Sequence, residues 1–183
     1  MPAPTLGTLP WRPALEHLDL LAAPTAKALQ QADAAWAAAV YAAPIDADLA
    51  DTAAFCEAYE VPLEASANCV VVSGRRSEVT TLAACLVLAT DRADVNKAVR
   101  HQLGVRKISF APMDEATERS QMAYGGITPV GLPREWPVLV DEAVLDQPWI
   151  VVGSGTRAAK LLLPGASLAD LPSAHPMLLR QVG

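Results

Sequence analysis

The stretch that decides the fold is CVVVSGRRSEVTTLAACLVLA, residues 69–89. Its first four residues, 69–72, are rich in β-branched side chains and predict a strand. Residues 73–77 read as a turn, and the apolar run over 79–89 predicts a second strand. Because so short a connection cannot cross over a sheet, the two strands must be antiparallel neighbours.

Shorter elements surround this predicted hairpin. Helices are expected over 14–39, interrupted at Pro24 with a new start at Ala26 capped by Thr25, and over 51–59, 95–103 and 112–122. Strands are expected over 107–110, 138–140, 149–152 and 159–163. Hairpins mixed with single helices indicate an α/β or α+β domain with a mixed, largely antiparallel sheet, and not a doubly wound parallel sheet.

The composition fits one globular domain. The 183 residues are 52% hydrophobic and 19% charged, which permits a real core and excludes an intrinsically disordered chain. No apolar run approaches the roughly 18 residues that a membrane span needs. The first thirteen residues lack the basic start and apolar stretch of a secretory signal. We therefore expect a cytoplasmic protein that does not associate with membranes.

The charge is uneven along the chain. The net charge is −6, and residues 1–64 hold nine acidic and two basic side chains, whereas basic residues gather around the predicted helix 95–103. The acidic total argues against a DNA-coating protein, but a local basic face can still bind a few phosphates. Lys97, Arg100 and Arg106 are candidates for phosphate contacts to an RNA end, and a solvated helix face is the alternative.

The cysteines indicate neither a metal site nor a disulfide framework. Cys56, Cys69 and Cys85 are far apart, with no C-x-x-C pair and no Cys/His spacing suited to zinc. We expect three buried, reduced thiols. The alternative is a nucleophile, although no partnering base lies nearby in the sequence. No metal and no cofactor are expected.

Two glycine-rich segments are the candidate ligand-binding loops. GSGTRA, residues 153–158, fits the G-x-G-x-x-A dinucleotide fingerprint, but a short strand follows it where the fingerprint requires a helix, so NAD or FAD binding is not expected. In YGGITPVG, residues 124–131, adjacent glycines allow a ligand to approach the backbone closely. Backbone N–H groups there could hold a carbonyl oxygen, and an ordinary turn is the alternative.

From about residue 36 to 171 the chain resembles the YbaK/EbsC family of aminoacyl-tRNA editing domains, related to the insertion domain of bacterial prolyl-tRNA synthetases. The resemblance is carried, in order, by residues 67–72, 94–104, 111–129 with the Gly-x-x-x-Pro loop Gly125–Pro129, 138–141 and 153–156. It implies a compact α/β fold around a mixed, curved sheet flanked by helices. Residues 1–35 would be a helical N-terminal extension packed on an editing domain of 36–183.

The resemblance also implies an activity. Family members hydrolyse, in trans and without a metal, the ester that joins a wrong amino acid to the 3′-terminal adenosine of tRNA. The partners would be the tRNA acceptor end and an aminoacyl-tRNA synthetase. A ribose hydroxyl is credited with assisting the attacking water, so positioning and an oxyanion hole matter more than a strong base.

The candidate site residues follow from the resemblance together with the loops described above. The catalytic candidates are Asp141, which either caps the next turn or orients a ligand or water, and Gly155. The substrate-binding candidates are Asn68, Gly125, Gly126, Thr128, Pro129, Gly153, Ser154, Thr156 and Arg157. The tRNA-binding candidates are Lys97, Arg100 and Arg106. All of these assignments require that the two glycine segments meet at one small cavity and turn their N–H groups into it.

One departure from the family pattern concerns a charge. Many members carry a lysine on the first hairpin strand, where this chain has Ala67 followed by Asn68. Either Arg157, Lys160 or Asn68 replaces the ammonium group, or the pocket binds aminoacyl-tRNA without hydrolysing it. A pocket for a small amino-acid-like metabolite, independent of RNA, is a third alternative.

Overall fold

The computed structural model describes residues 4–181 and arranges them as nine strands in two sheets, with short helices around them. The strands are β1 Arg12–Pro13, β2 Tyr41–Pro44, β3 Ala67–Arg76, β4 Val79–Leu88, β5 Lys107–Phe110, β6 Val138–Asp141, β7 Ile150–Gly153, β8 Ala159–Leu163 and β9 Ala174–Met177. The helices are α1 Ala23–Gln31, α2 Ala34–Ala38, α3 Thr52–Ala58, α4 Arg100–Gln102 (continuing a π-helical turn over Val95–Val99), α5 Met113–Ser120 and α6 Glu142–Leu145.

The hairpin of β3 and β4 organises the larger sheet. Its ten residue pairs run in antiparallel register from Ala67 opposite Leu88 to Arg76 opposite Val79. Strand β5 pairs with β3 on the other side, and parallel pairing of β6 with β4 and of β9 with β6 completes the order β5-β3-β4-β6-β9. The predicted hairpin of antiparallel neighbours is confirmed.

The two faces of the hairpin pack against different layers, because side chains alternate along a strand. Val72 packs against Val99 in the π-helical turn. Val71, one residue earlier and on the opposite face, packs against Ala116 of α5. The predicted basic helix and α5 therefore lie on opposite faces of the larger sheet.

The smaller sheet has the order β1-β2-β8-β7, and all its pairs are antiparallel. A parallel bridge between Ser66 and Val151 joins it to the start of β3. The α+β class with a mixed, largely antiparallel arrangement is confirmed. The single curved sheet expected from the sequence is instead divided in two, and the two sheets meet where β3 begins beside β7.

Some local expectations differ from the structure. Helix α1 begins at Ala23, because Pro24 sits in its first turn, where a missing N–H costs nothing. Thr25 is therefore a buried helical residue and not a cap. Strand β9 was not expected, since a segment containing His175 and Pro176 lacks the apolar pattern of a buried strand. Within residues 4–181, no helix has both the length and the apolar character needed to cross a bilayer.

Asp141 fastens the C-terminal segment to the end of β6. One carboxylate oxygen accepts hydrogen bonds from the Ala143 N–H at 2.9 Å and from the Arg180 guanidinium at 2.6 Å. The other accepts the N–H groups of Leu179 and Arg180, both at 2.8 Å. Burial by itself would raise the pKa of Asp141, but these hydrogen bonds outweigh it and hold the pKa below its ordinary value.

Asp141→Ala should destabilise the protein by about 3–5 kcal/mol, because it leaves two buried backbone N–H groups and a guanidinium without their acceptor. Since the folded pKa is lowered, this stabilisation is present above pH 3.8, the ordinary value, and is lost as the pH falls through the folded pKa. Urea unfolding of the wild type and the variant from pH 7 down to pH 3 measures both effects.

The control is the neighbouring, exposed Glu142, whose replacement by Ala should change stability by less than about 0.5 kcal/mol. A loss below about 1 kcal/mol for Asp141→Ala at pH 7, or a difference from wild type that does not shrink as the pH falls from 7 to 3, would contradict this account of Asp141.

Candidate functional site

The two glycine segments contact each other backbone to backbone. The N–H of Gly155 donates to the carbonyl of Gly126 at 2.7 Å. A Cβ atom at Gly126 would overlap the carbonyl oxygen of Thr156, and one at Gly153 would lie 2.5 Å from the oxygen of Gly126. Only glycine permits so close an approach. The convergence that the sequence analysis required is therefore present.

A cavity of about 350 Å³ opens beside this contact. Its walls come from the start of α3, the first half of β3, the end of β5, the first turn of α5, the loop around Gly125, and two facing residues of the smaller sheet, Gly153 and Lys160. The volume is in the range of small-molecule sites.

Lys160 places a buried ammonium group in this cavity. It lies in β8 directly opposite Gly153 of β7, so the absent side chain at 153 leaves room on the face toward which Lys160 projects. The side chain is 8% exposed. Its Nζ donates to the carbonyl of Ala50 at 2.8 Å and stands 4.9 Å from the centre of the Phe55 ring.

The environment of Lys160 disfavours its charge. Burial lowers the pKa of this lysine, and nearby Arg157 lowers it further, while Cys56 and Asp51 act in the opposite direction. Within residues 4–181, the Ala50 carbonyl is the one hydrogen-bond acceptor that the ammonium reaches. An ammonium has three N–H groups, so Lys160 keeps donor capacity for a group that enters the cavity.

Asn68 supplies a second polar side chain to the cavity. Its amide oxygen accepts a hydrogen bond from the Thr52 hydroxyl at 2.5 Å, which fixes the orientation of the side chain. The amide NH₂ is then the free end of the group. Asn68 and Lys160 come from different sheets and both line the cavity.

Arg157 connects two segments at the rim of the cavity. Its guanidinium donates to the carbonyl of Ala47 at 3.1 Å and to the carbonyl of Tyr124 at 3.4 Å. It also forms an ion pair with Asp51 at 3.6 Å. Arg157 therefore ties the glycine loop to the segment before α3, and most of its hydrogen-bonding capacity is used within the protein.

The remaining loop candidates build the loops and do not line the cavity. The N–H of Gly155 is occupied by Gly126, so it is not available to an oxyanion, and the Gly126 N–H donates to Ala123. The buried Ser154 hydroxyl donates to the carbonyl of Ala159 at 2.9 Å. Thr156 donates to the carbonyl of Leu20 at 3.2 Å.

Thr128 and Pro129 lie on the far side of the loop. Thr128 is fully buried, and its hydroxyl oxygen accepts from the N–H of Val130. Pro129 lines a second, larger groove of about 760 Å³ between α1 and residues 129–134. This groove contains no buried charged side chain, so it offers nothing comparable to Lys160.

The basic candidates lie away from the cavity. Lys97 and Arg100 belong to the helical segment on the opposite face of the larger sheet from α5, and both are exposed. Arg106 precedes edge strand β5, whose other end, Phe110, lies at the cavity. An extended strand places these two positions about 13 Å apart.

Asp141 is also separate from the cavity. Within residues 4–181, its carboxylate is hydrogen-bonded to residues 143, 179 and 180, and it does not line either depression in the surface. The alternative given for it in the sequence analysis, a cap for the next turn, matches its hydrogen bond to Ala143. The predicted catalytic role has no contact that supports it.

Cysteine and metal chemistry have no visible basis at this site. Cys69 lines the cavity, but burial raises its pKa well above the ordinary value, and burial raises that of Cys85 to about 12. Both thiols are therefore protonated at neutral pH and poorly nucleophilic. Within the part of the chain that the structure describes, no three His, Cys, Asp or Glu side chains gather to bind a metal ion.

Several cavity residues were not among the predicted site residues. Lys160 carries a sequence signal, since it is the one charged residue in the apolar run Ala159–Leu163, and it is one of the three residues expected to replace the missing lysine. Thr52, Phe110 and Tyr124 carry no such signal. Only the packing of α3, β5 and the loop against β3 brings them together.

Comparison with known proteins agrees with this architecture. Residues 46–171 match the family described as "Aminoacyl-tRNA editing domain". A crystal structure described as a candidate trans-editing enzyme for prolyl tRNA synthetase has 22% identity and a TM-score of 0.70, covering 87% of this chain and 99% of that one. The crystal structure of hypothetical protein APE2540 has 19% identity and a TM-score of 0.65, covering 75% and 86% respectively. At these identities the structural matches show the fold alone. The sequence match spans more than half of the chain, and the protein therefore belongs to the aminoacyl-tRNA editing domain family.

Proposed function

We propose that the protein is an aminoacyl-tRNA deacylase that acts in trans on a mischarged tRNA, with the cavity beside Gly153 and Lys160 as its active site. The observation that carries the proposal is the buried ammonium of Lys160, which keeps unused donors in a cavity of the right size. It supplies from β8 the positive charge that the family pattern places at the position of Ala67.

The proposed chemistry is hydrolysis of the ester. The ester carbonyl oxygen accepts a hydrogen bond from Lys160, whose charge stabilises the oxyanion that forms when water attacks the carbonyl carbon. The bond from that carbon to the ribose oxygen then breaks, and the ribose oxygen takes the proton. Asp51, the one carboxylate at the cavity, is 77% exposed and paired with Arg157. The proton acceptor for the water is therefore expected to be a ribose hydroxyl of the substrate.

The non-catalytic alternative rested on the absence of an ammonium group at position 67. Lys160 removes that reason, because a charge delivered from another strand serves the same electrostatic purpose. No contact in the structure favours a metabolite-binding pocket over the ester site.

The setting of the proposed reaction follows from its substrate. The proposed substrate is the acceptor end of a mischarged tRNA. An aminoacyl-tRNA synthetase that makes errors would produce this substrate, and the reaction would take place in the cytoplasm. Residues 36–183 form the editing domain in this proposal, and residues 1–35 form the extension. Phosphate contacts by Lys97 and Arg100 would require the RNA to pass around the β5 edge, whereas Arg106 lies on that edge.

The first test is a deacylation assay with purified protein and a panel of tRNAs, including tRNA for proline, each charged with a non-cognate amino acid. At least one ester should be hydrolysed faster than in buffer. On that substrate Lys160→Met should lower kcat/KM by about 10²- to 10³-fold, the usual effect of losing one oxyanion donor. Lys160→Arg should lose less, because it keeps the charge.

The matched control is Lys27→Met, which removes an exposed lysine of α1 outside the cavity and should leave kcat/KM unchanged. Absence of hydrolysis of every ester in the panel by the wild type would contradict the proposed function. Full activity of Lys160→Met would contradict the role of Lys160.

Lys160→Met should lower the activity without a large loss in the free energy of unfolding. Exchanging a buried charge for an apolar side chain is often neutral or stabilising, so the variant should lose no more than about 1 kcal/mol at pH 7 despite the lost bond to Ala50. The folded pKa of Lys160 is below its ordinary 10.5, so the unfolded chain binds more protons between the two values. Wild type should therefore gain stability relative to the variant as the pH rises from 8 toward 10.5.

Urea unfolding of the two proteins at pH 7, 9 and 10 measures this difference. A loss above about 3 kcal/mol at pH 7 would show that Lys160 is a structural residue, and a difference that does not change with pH would show that its pKa is not lowered.

A further inference from the structure

The exposed aromatic side chains are confined to one place. The chain has nine aromatic residues, all within residues 4–181. Seven are buried or half-buried, namely Trp11, Trp36, Tyr41, Phe55, Tyr59, Trp136 and Trp149. The other two, Phe110 and Tyr124, are 66% and 62% exposed, and both line the mouth of the cavity that contains Lys160. Large apolar groups left in water at the entrance of a pocket indicate a contact surface.

Both aromatic residues are held on well-fixed backbone. Phe110 ends β5 and is paired with Val72 of β3. Tyr124 sits in a loop whose flanking residues are bonded, since the Ala123 N–H donates to Gly155 and the Gly126 N–H donates to Ala123. Its own carbonyl accepts from Arg157. Because an aromatic side chain has only two rotatable χ angles, rings on such a fixed backbone lose little conformational entropy when they bind a flat partner.

The charges around the mouth argue against a phosphate site. Asp51 is at the rim, and α5 begins there with Asp114 and Glu115 in its first turn. Lys160 is inside the cavity, and Arg157 is already bonded to Ala47, Tyr124 and Asp51. An RNA end entering here would meet aromatic faces and not a cationic groove. Bases can stack on such faces regardless of sequence.

We infer that Phe110 and Tyr124 form a stacking platform for the unpaired bases at the 3′ end of tRNA, with the terminal adenine and its neighbour lying against the two rings. This inference rests on the proposed function, because it takes the ester in the cavity to be attached to that terminal adenosine. The platform holds the nucleoside at the mouth while the aminoacyl group reaches Lys160. Through this platform the protein binds single-stranded RNA without depending on phosphate contacts.

The test uses the trinucleotide CCA with 2-aminopurine in place of the terminal adenine, because stacking quenches the fluorescence of this base. Wild type should quench the signal in a saturable manner, with affinity that falls only weakly between 50 and 200 mM salt. Phe110→Leu and Tyr124→Leu keep apolar bulk but lose the aromatic face. Each should weaken binding about tenfold, within the 5- to 150-fold range for one stacked base.

Two further variants make the test specific. Phe110→Trp keeps the aromatic face and should bind within about twofold of wild type. Val79→Ala alters a side chain that is 66% exposed, like Phe110, but at the far end of the hairpin, and it should bind as wild type does.

The outcomes separate this inference from the proposed function, because binding of the trinucleotide needs no turnover. Absence of quenching by wild type, equal losses in Phe110→Leu and Phe110→Trp, or unchanged binding in both leucine variants would overturn the stacking platform even if deacylation is observed. Loss in the leucine variants with recovery in Phe110→Trp supports it. Binding of another protein at this patch without quenching of the trinucleotide would likewise overturn it.

Discussion

The contact between the two glycine turns is the constraint on which the site depends. The hydrogen bond from Gly155 to Gly126, and the absence of a Cβ at 126 and 153, let two backbones from distant parts of the sequence lie against each other. That contact sets the loop around Gly125 above the smaller sheet and leaves the cavity between them. Gly125 and Gly153 line the cavity, while the N–H groups of Gly126 and Gly155 are bonded within the fold and are not available to a substrate.

Lys160 is the side chain on which the proposed mechanism depends, and the burial of its charge carries a desolvation cost. A buried ammonium needs compensation, which the Ala50 carbonyl and the face of Phe55 provide only in part. A substrate carbonyl or oxyanion that accepts a hydrogen bond from Lys160 would offset the rest of the desolvation cost. In the proposed mechanism the positive charge comes from β8 and not from β3, where the family pattern places it.

The sequence predicted the fold more completely than the site. The positions of β3 and β4 could be predicted because both strands are long and apolar and a short turn joins them. The two sheets meet at the Ser66–Val151 bridge, and this contact between segments far apart in sequence leaves no local signal. The resemblance together with the two glycine segments predicted that residues 125 and 153 lie at one cavity, and both line it. Residue type alone could not show that Gly155 and Asp141 use their hydrogen-bonding groups within the fold. Phe110 and Thr52 became site residues only through tertiary packing.

The most direct measurement of the central claim is a crystal structure with a non-hydrolysable aminoacyl-amide analogue of the tRNA terminal adenosine. We expect the acyl group in the cavity, with its carbonyl oxygen within hydrogen-bonding distance of the Lys160 Nζ and the Gly126–Gly155 contact unchanged. An analogue bound in the groove beside α1, or bound in the cavity with its carbonyl turned away from Lys160, would contradict the account.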